Sequence, residues 1–309
     1  AKPIEHNFVA LNSAIFQDIA FIKISSQTSQ PVNIVNIISD DNKQKIVLPR
    51  IYFEVEENAN VELIESYINF SEITQLVIPV TEIKLNPKSS LNHFRIQSEN
   101  EKTFHIATTR VSQELDSKFS SVSFATGASI GRNDILTHLE GQGSESDLKG
   151  IYITHGEQQQ DHEISTNHKS PNCSSNQFYK GILSGKSRAV FSGKVIVARD
   201  AQKSTANQKD LNLMLSYGAE IDAKPSLEIY ADDVECAHGA TAGHVDKNSL
   251  FYLLSRGISE FEAKSMLVRG FAEEMLEEFN HEELNDFVSD LINIKIPLVL
   301  SESDTIGTA

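Results

Sequence analysis

Hydrophobic residues along this chain follow two different rhythms. Up to about Val245 they come in short runs rich in β-branched and aromatic residues, such as KIVLPRIYFEV, VELIESYINF, TQLVIPVTEIKL and RAVFSGKVIV. Asn, Ser, Gly, Asp and Pro separate these runs, and 3.6-residue patterns are scarce, so this stretch predicts strands. A doubly wound α/β fold needs helices between its strands, and the pattern offers none.

A loose period separates the β architectures. A small polar segment followed by an apolar onset recurs in ENANVELI, PKSSLNHF, LDSKFSSV, SESDLKGI, GKSRAVFS and YGAEIDAK. The onsets Val61, Leu91, Phe119 and Leu148 lie 30, 28 and 29 residues apart. Val190 and Ile221 follow after 42 and 31, which predicts an insertion near 154–180. A period of this length without helices suits the stacked coils of a parallel β-helix. A sandwich would show Asn-Gly or Asp-Gly hairpin signals, which are absent.

From Asp246 onward the rhythm becomes helical. Asp246 can N-cap a helix over about 247–256, with Gly257 as its left-handed stop. Ser259 and Glu262 have capping-box spacing for a helix over about 260–279. In that helix Leu267, Phe271, Met275 and Phe279 form one apolar stripe. Asn280 and Glu283 repeat the spacing before Leu284, Phe287, Val288, Leu291 and Ile292, a second stripe. The expected division is a β domain over 1–245 and a helical domain over 246–309.

Charge changes the picture mainly in that second part. Residues 259–309 carry twelve carboxylates against three basic residues, so they supply −9 of a net −16. The plainer account is an amphipathic cap over the end of the β domain with a solvated acidic face. A sharper one adds a partner-docking surface. The overall balance argues against nucleic acid or anionic membrane as a partner. No apolar run reaches the ~18 residues of a membrane span, and AKPIEHNFVA has no signal-peptide pattern. Two cysteines make no disulfide framework, which makes a reducing cytoplasm the expected setting.

Two constellations could carry chemistry. Cys236 and His238 stand two apart at the end of a predicted strand, so thiol and imidazole share a face. Both are natural ligands for iron or zinc. The plainer account of C-x-H is a Cys packed as a small hydrophobe beside a surface His. Two ligands complete neither a zinc site nor an iron–sulfur cluster, so a functional pair here is half a site that another chain must finish. The second constellation is His155, Asp161, His162, Glu163, His168 and Cys173, which lacks compact metal-site spacing and reads better as a polar ladder or turn network. Nucleotide and hydrolase motifs are absent, and GATAG at 239–243 reads as turn chemistry.

The stretch KPSLEIYADDVECAHGATAGHVDKNSLFYLLSRGIS resembles the C-terminal signature of the SufB/SufD family, on the SufD side. DHEISTNHKSPNCSSNQFYKGILSGKSRAVFSGKVIVARDAQKSTANQKDLNLMLS upstream also resembles that family, as does FVALNSAIFQDIAFIKI more loosely. The resemblance implies a right-handed parallel β-helix followed by an α-helical segment. It also implies a non-enzymatic scaffold subunit that pairs with a SufB-like subunit and a SufC-like ATPase. A transient iron–sulfur cluster would then be shared with the partner, none being held tightly by the isolated chain. By the same resemblance His238, with Cys236, contributes to the nascent cluster site. The C-terminal helices resemble the segment that docks the ATPase, which points to Leu267, Phe271, Met275, Phe279, Leu284 and Phe287. The family's longer helical N-terminal region has no counterpart here, and the H-E-A-T of the SufB branch is replaced by HGAT. Free strand edges at a β-helix end also make a homodimer expected when the chain is isolated.

Two rival readings remain on the residues alone. One is a β-helix polysaccharide lyase or hydrolase using Asp/Glu pairs such as Asp232 and Asp233. The other is a zinc protein built on His155, His162, His168 and Cys173.

Overall fold

A computed structural model of the chain describes residues 7–39, 46–279 and 281–303. It opens with helix α1 (Asn7–Ile15), followed by β1 (Ala20–Ile24), β2 (Val32–Ile38), β3 (Ile46–Val47), β4 (Arg50–Val55) and β5 (Asn60–Asn69). Next come β6 (Gln75–Val77), β7 (Val80–Leu85), β8 (Ser90–Ser98), β9 (Thr103–Gln113), β10 (Lys118–Thr126) and β11 (Ile130–Leu139). The later coils use β12 (Glu145–Thr154), β13 (Gln159–His168), β14 (Ser174–Leu183), β15 (Arg188–Val197) and β16 (Ser204–Met214). The last strands are β17 (Glu220–Ala223), β18 (Ser226–Ile229) and β19 (Val234–His244), followed by helices α2 (Lys247–Ser255), α3 (Glu260–Leu276) and α4 (Glu282–Ser301).

All described strand pairs are parallel, and they form two sheets. One sheet, here the helix-bearing sheet, stacks β2, β5, β8, β10, β12, β14, β16 and β19. The facing sheet stacks β1, β4, β7, β9, β11, β13 and β15, then β17 and β18. From β8 to β16 successive strands alternate between the sheets, and in the last coil β17 and β18 share the facing-sheet place before β19 returns to the helix-bearing sheet. This is the parallel β-helix that the 30-residue rhythm predicts.

The rhythm is seen directly in the register. Val61 stands beside Leu91, and Leu91 beside Phe119. The predicted insertion near 154–180 does not exist. Strands β13 and β14 are regular ten-residue strands there. The long step arises because Leu148 lies in the helix-bearing sheet and Val190 in the facing one. A hydrophobic reading misses the intervening strands because their inward side chains include His162, Thr166, His168, Ser175 and Gln177.

Equivalent turns between coils carry a left-handed residue at one position: Asn58, Lys88, Asp116, Gly143, Asn172 and Lys203, with φ between 52° and 72°. The coil stack holds this conformation, because each N–H meets a carbonyl of the next turn. Asp116 donates to Gln142 and Asn172 to Gln202, both at 2.9 Å. The next residue makes a hydroxyl ladder of Ser89, Ser117 and Ser144, each donating to a carbonyl three residues back at 2.6–2.7 Å. Cys173 occupies the following rung, buried, which is turn-network use of the thiol.

Aliphatic and aromatic residues of both sheets fill the lumen from the early coils as far as β15, among them Phe53, Leu63, Ile83, Phe119 and Phe191. A second core forms outside the helix-bearing sheet. There Ile96, Phe124, Ile151, Ile153 and Ile182 pack against Val268, Met275, Phe279, Val288 and Ile292 of the C-terminal helices. The helices therefore lie along the flank of the β-helix, not over its end as a cap would. Their caps follow the sequence: Asp246 accepts from the Ser249 N–H, and Ser259 and Glu262 form the full capping box. At α4 the N-cap is His281, without a side-chain cap bond, and Asn280 lies outside the described residues. Helix α1 is an element the β-rich N-terminal pattern hides. It is fixed through buried Asn12, whose amide donates to the Pro49 and Ile78 carbonyls at 3.1 and 2.8 Å.

Candidate functional site

Strand β19 closes the helix-bearing sheet and pairs with β16 on one side only. The GATAG segment is not a turn. It continues the strand, with small residues where no further coil packs above. Inward side chains of the coils stack in columns, and the last members of two columns are the candidate ligands. One column runs Leu91, Phe119, Ser146, Ser175, Ala206 and Cys236. The next runs His93, Ser121, Leu148, Gln177, Gln208 and His238.

Lumen-facing positions are covered in every earlier coil of these columns. In β19 they are not, so Cys236 is half-buried and His238 exposed. Cys236 rests on Val195, Val197, Ala206 and Ala231. Burial pushes its thiol up, partly offset by a hydrogen bond with the Ala206 backbone. The thiol form therefore dominates near neutrality, and an incoming metal must displace its proton. Below His238, Gln208 donates to Gln177 at 3.0 Å and Gln177 to Thr166 at 3.1 Å. Outside the strand, an open groove of about 750 Å³ lined by Asp147, Asn176, Asn207, Glu235 and Cys236 reaches the same thiol. Among the described residues no group of three or more His, Cys, Asp or Glu could hold a metal ion. Cys236 and His238 share one face of the last strand, the thiol half-buried and the imidazole exposed.

The second constellation does not converge. Strand alternation turns His162 and His168 inward and Asp161 and Glu163 outward. His162 is stacked on Tyr152, with centroids 4.7 Å apart, and burial lowers its pKa to about 3. His168 meets Ser175 at 2.7 Å, and burial lowers it to about 4. His155 lies in a turn near Glu101 and Glu302. The zinc reading has no geometry to rest on. Asp232 and Asp233 are exposed in the turn before β19, where their backbone N–H groups are held by the Gln202 side chain.

The docking stripe also needs correction. Met275, Phe279 and Leu284 are buried in the chain's own flank core, with Leu267 and Phe271 half-covered. Of the six residues expected to dock, Phe287 alone is exposed, at 45%. An i, i+4 stripe finds the buried seam of a helix, and here the seam belongs to the β-helix.

Sequence reasoning missed a polar network deep in the lumen. Glu65 meets His93 at 3.2 Å and Tyr67, while the Arg95 guanidinium meets His105 at 2.6 Å and His105 meets Glu99 at 2.9 Å. Burial alone would push the Glu65 carboxyl up. The His93 hydrogen bond, with the charges of His93 and Arg95, instead holds it down to about 2. Nearer the open end Asp210 is wholly buried beneath Ala240, and burial raises it to about 7 despite a 2.6 Å bond from Asn212. The signal was available: His93, Arg95, Gln97, Gln208, Asp210 and Asn212 share the parity of the inward apolar residues.

Residues 36–271 match the family described as SUF system FeS cluster assembly, SufBD core domain. An iron–sulfur cluster assembly SufBD family protein of Synechocystis is 34% identical over 283 residues, covering 88% of this chain and 62% of the relative. The iron–sulfur cluster assembly protein SufD of Escherichia coli is 29% identical over 294 residues, covering 94% of this chain and 70% of the relative. A chloroplastic protein of Arabidopsis thaliana, ABCI7, is 32% identical over 240 residues, 77% of this chain and 50% of its own length. The chain thus spans between half and seven-tenths of these relatives. With a parallel β-helix and a family match across most of its length, the chain belongs to the SufBD family of iron–sulfur cluster assembly proteins.

Proposed function

We propose that this chain is a non-catalytic scaffold subunit, on the SufD side of its family, that builds clusters only in company. The observation that carries this reading is the open last coil, where lumen columns end in one thiol and one imidazole with nothing above them. A SufB-like subunit sits against this end and supplies the remaining ligands. Cys236 and His238 supply this chain's share for a nascent iron–sulfur cluster, which is cargo of the complex and is passed on. A SufC-like ATPase docks on the C-terminal helices. In the isolated chain the free edge of β19 pairs with a second copy. The setting is the cytoplasm; among the described residues no helix is long and apolar enough to cross a membrane.

The test is anaerobic reconstitution with iron and a sulfide source. The complete complex is expected to develop an air-sensitive brown chromophore, and this chain alone to bind little iron. His238→Ala is expected to lower cluster yield in the complex on the order of tenfold, as loss of an important metal contact does. Undiminished assembly by that variant would remove His238 from the site. Failure of the three subunits to associate would remove the scaffold reading itself.

A further inference from the structure

The lumen column that ends at His238 belongs to an amide relay whose last atom is unused. Thr137 on β11 donates to the Thr166 hydroxyl on β13 at 3.1 Å. Gln177 on β14 donates to that same hydroxyl oxygen at 3.1 Å, and Gln208 on β16 donates to the Gln177 Oε1 at 3.0 Å. All four side chains are buried. The relay thus crosses from the facing sheet to the helix-bearing sheet and climbs one coil toward the open end. Gly193 on β15 makes room for it, since a Cβ there would stand 3.0 Å from both the Gln177 Oε1 and the Gln208 Nε2.

At the top of the relay the Gln208 Oε1 has no hydrogen-bond partner among the described residues. Turning that amide over by itself would set its oxygen against the Gln177 oxygen, so the relay fixes which end is free. An amide oxygen buried without a partner is costly, and folded proteins rarely keep one. Its inward neighbours along β16 are Ala206, without a polar side chain, and Asp210, whose carboxylate accepts from Asn212 at 2.6 Å. Across the sheet its register partner is His238, whose exposed ring carries an N–H.

Resting on the reading that His238 gives a nitrogen to the nascent cluster, we infer that Gln208 is its positioning residue. The imidazole folds inward over the last rung and donates one ring N–H to the Gln208 Oε1. In a neutral imidazole only one nitrogen carries a proton, so this bond leaves the lone pair of the other for the metal. A hydrogen bond at the far nitrogen orients a histidine ligand and raises its basicity. The partners running back from Gln208 to Thr137 hold the acceptor still, although the strand above it ends the stack.

The complete complex, reconstituted anaerobically with iron and sulfide, tests this through two readouts besides cluster yield. One is pulsed electron paramagnetic resonance of the reduced cluster, which detects coupling to a coordinated imidazole nitrogen. The other is the rate of iron loss to a ferrous chelator. Gln208→Met and Gln208→Glu both remove the amide that donates to Gln177, but only Glu keeps an oxygen beneath His238. Gln208→Met is expected to weaken the nitrogen coupling and to speed iron loss about tenfold, the scale on which partners of histidine ligands act. Gln208→Glu is expected to keep the coupling and to lose iron at nearly the wild-type rate. Far-ultraviolet dichroism and Tm check folding, and Gln208→Leu serves if the methionine variant does not fold. Wild-type behaviour without the Gln208 oxygen overturns the assignment. Equal losses in the Met and Glu variants overturn it too, because a packing role alone would move both alike. A nitrogen coupling that is absent from wild type, or that survives His238→Ala, instead removes the ligand reading beneath it.

Discussion

Asp210 shows how a single residue can cost the fold stability. Its carboxyl is wholly buried, one oxygen held by Asn212 and the other without a partner. Because burial raises it from an ordinary 3.8 to about 7, the folded state binds more protons than the unfolded state between those values. Stability is therefore lost as pH rises through that window. Asp210→Asn keeps the shape and removes the charge. It is expected to be more stable than wild type at pH 8, by up to about 4 kcal/mol at ~1.4 kcal/mol per tenfold change in acidity. The gain is expected to vanish near pH 4, which urea unfolding at both pH values measures. Glu65 works in the other sense: held down to about 2, it contributes stability that is lost only as pH falls below its ordinary range toward that value. Residues of this kind were readable from strand parity, because a polar side chain at an inward position must face the lumen. What parity cannot give is the partner, since Glu65 and His93, or Arg95 and His105, meet only once the coils stack.

At the scale of elements, the lumen interlocks by exchanging large and small residues between neighbouring strands. Gly150 on β12 lies beside Tyr179 on β14, and Tyr152 on β12 beside Gly181 on β14. A Cβ on Gly150 would stand 2.4 Å from the Tyr179 ring and 2.5 Å from the Ser123 hydroxyl. Gly150→Ala is expected to cost ~1–3 kcal/mol by overpacking. Gly239→Ala in β19, where an added Cβ meets nothing within 4 Å, is expected to change stability by less than about 0.5 kcal/mol. Equal losses from the two substitutions in denaturant titrations would contradict this packing. Helices α2 and α3 were legible because capping chemistry is local: Asp246, Ser259 and Glu262 do in the fold what their spacing implies. Helix α1 was not, since two turns of FVALNSAI contain as many strand formers as helix formers. The buried stripe of α3 was legible as a stripe, yet periodicity says nothing about whose core it joins.

On the scale of the whole molecule, one end of the β-helix is finished, among the described residues, by no further coil. The outer edge of the eleven-residue β19 leaves the N–H and C=O of every second residue without a strand partner among the described residues, which promotes edge pairing. Wild-type chain is expected to sediment as a concentration-dependent dimer, and Ala237→Lys, a charge on the exposed face of that edge strand, as a monomer. A dimer undisturbed by the lysine would place the contact elsewhere. The 30-residue rhythm announced the stack but not this end, because the last coil looks in sequence like any other. Only the stack reveals that no further coil among the described residues lies over Cys236 and His238. In a coil stack each layer is held by its two neighbours. An end layer has one, so its amides exchange and its strand frays before the middle of the lumen does. Cys236 and His238 thus sit on an end rung of the ladder, and any chain that seats there would supply the missing neighbour and raise local order with its occupancy.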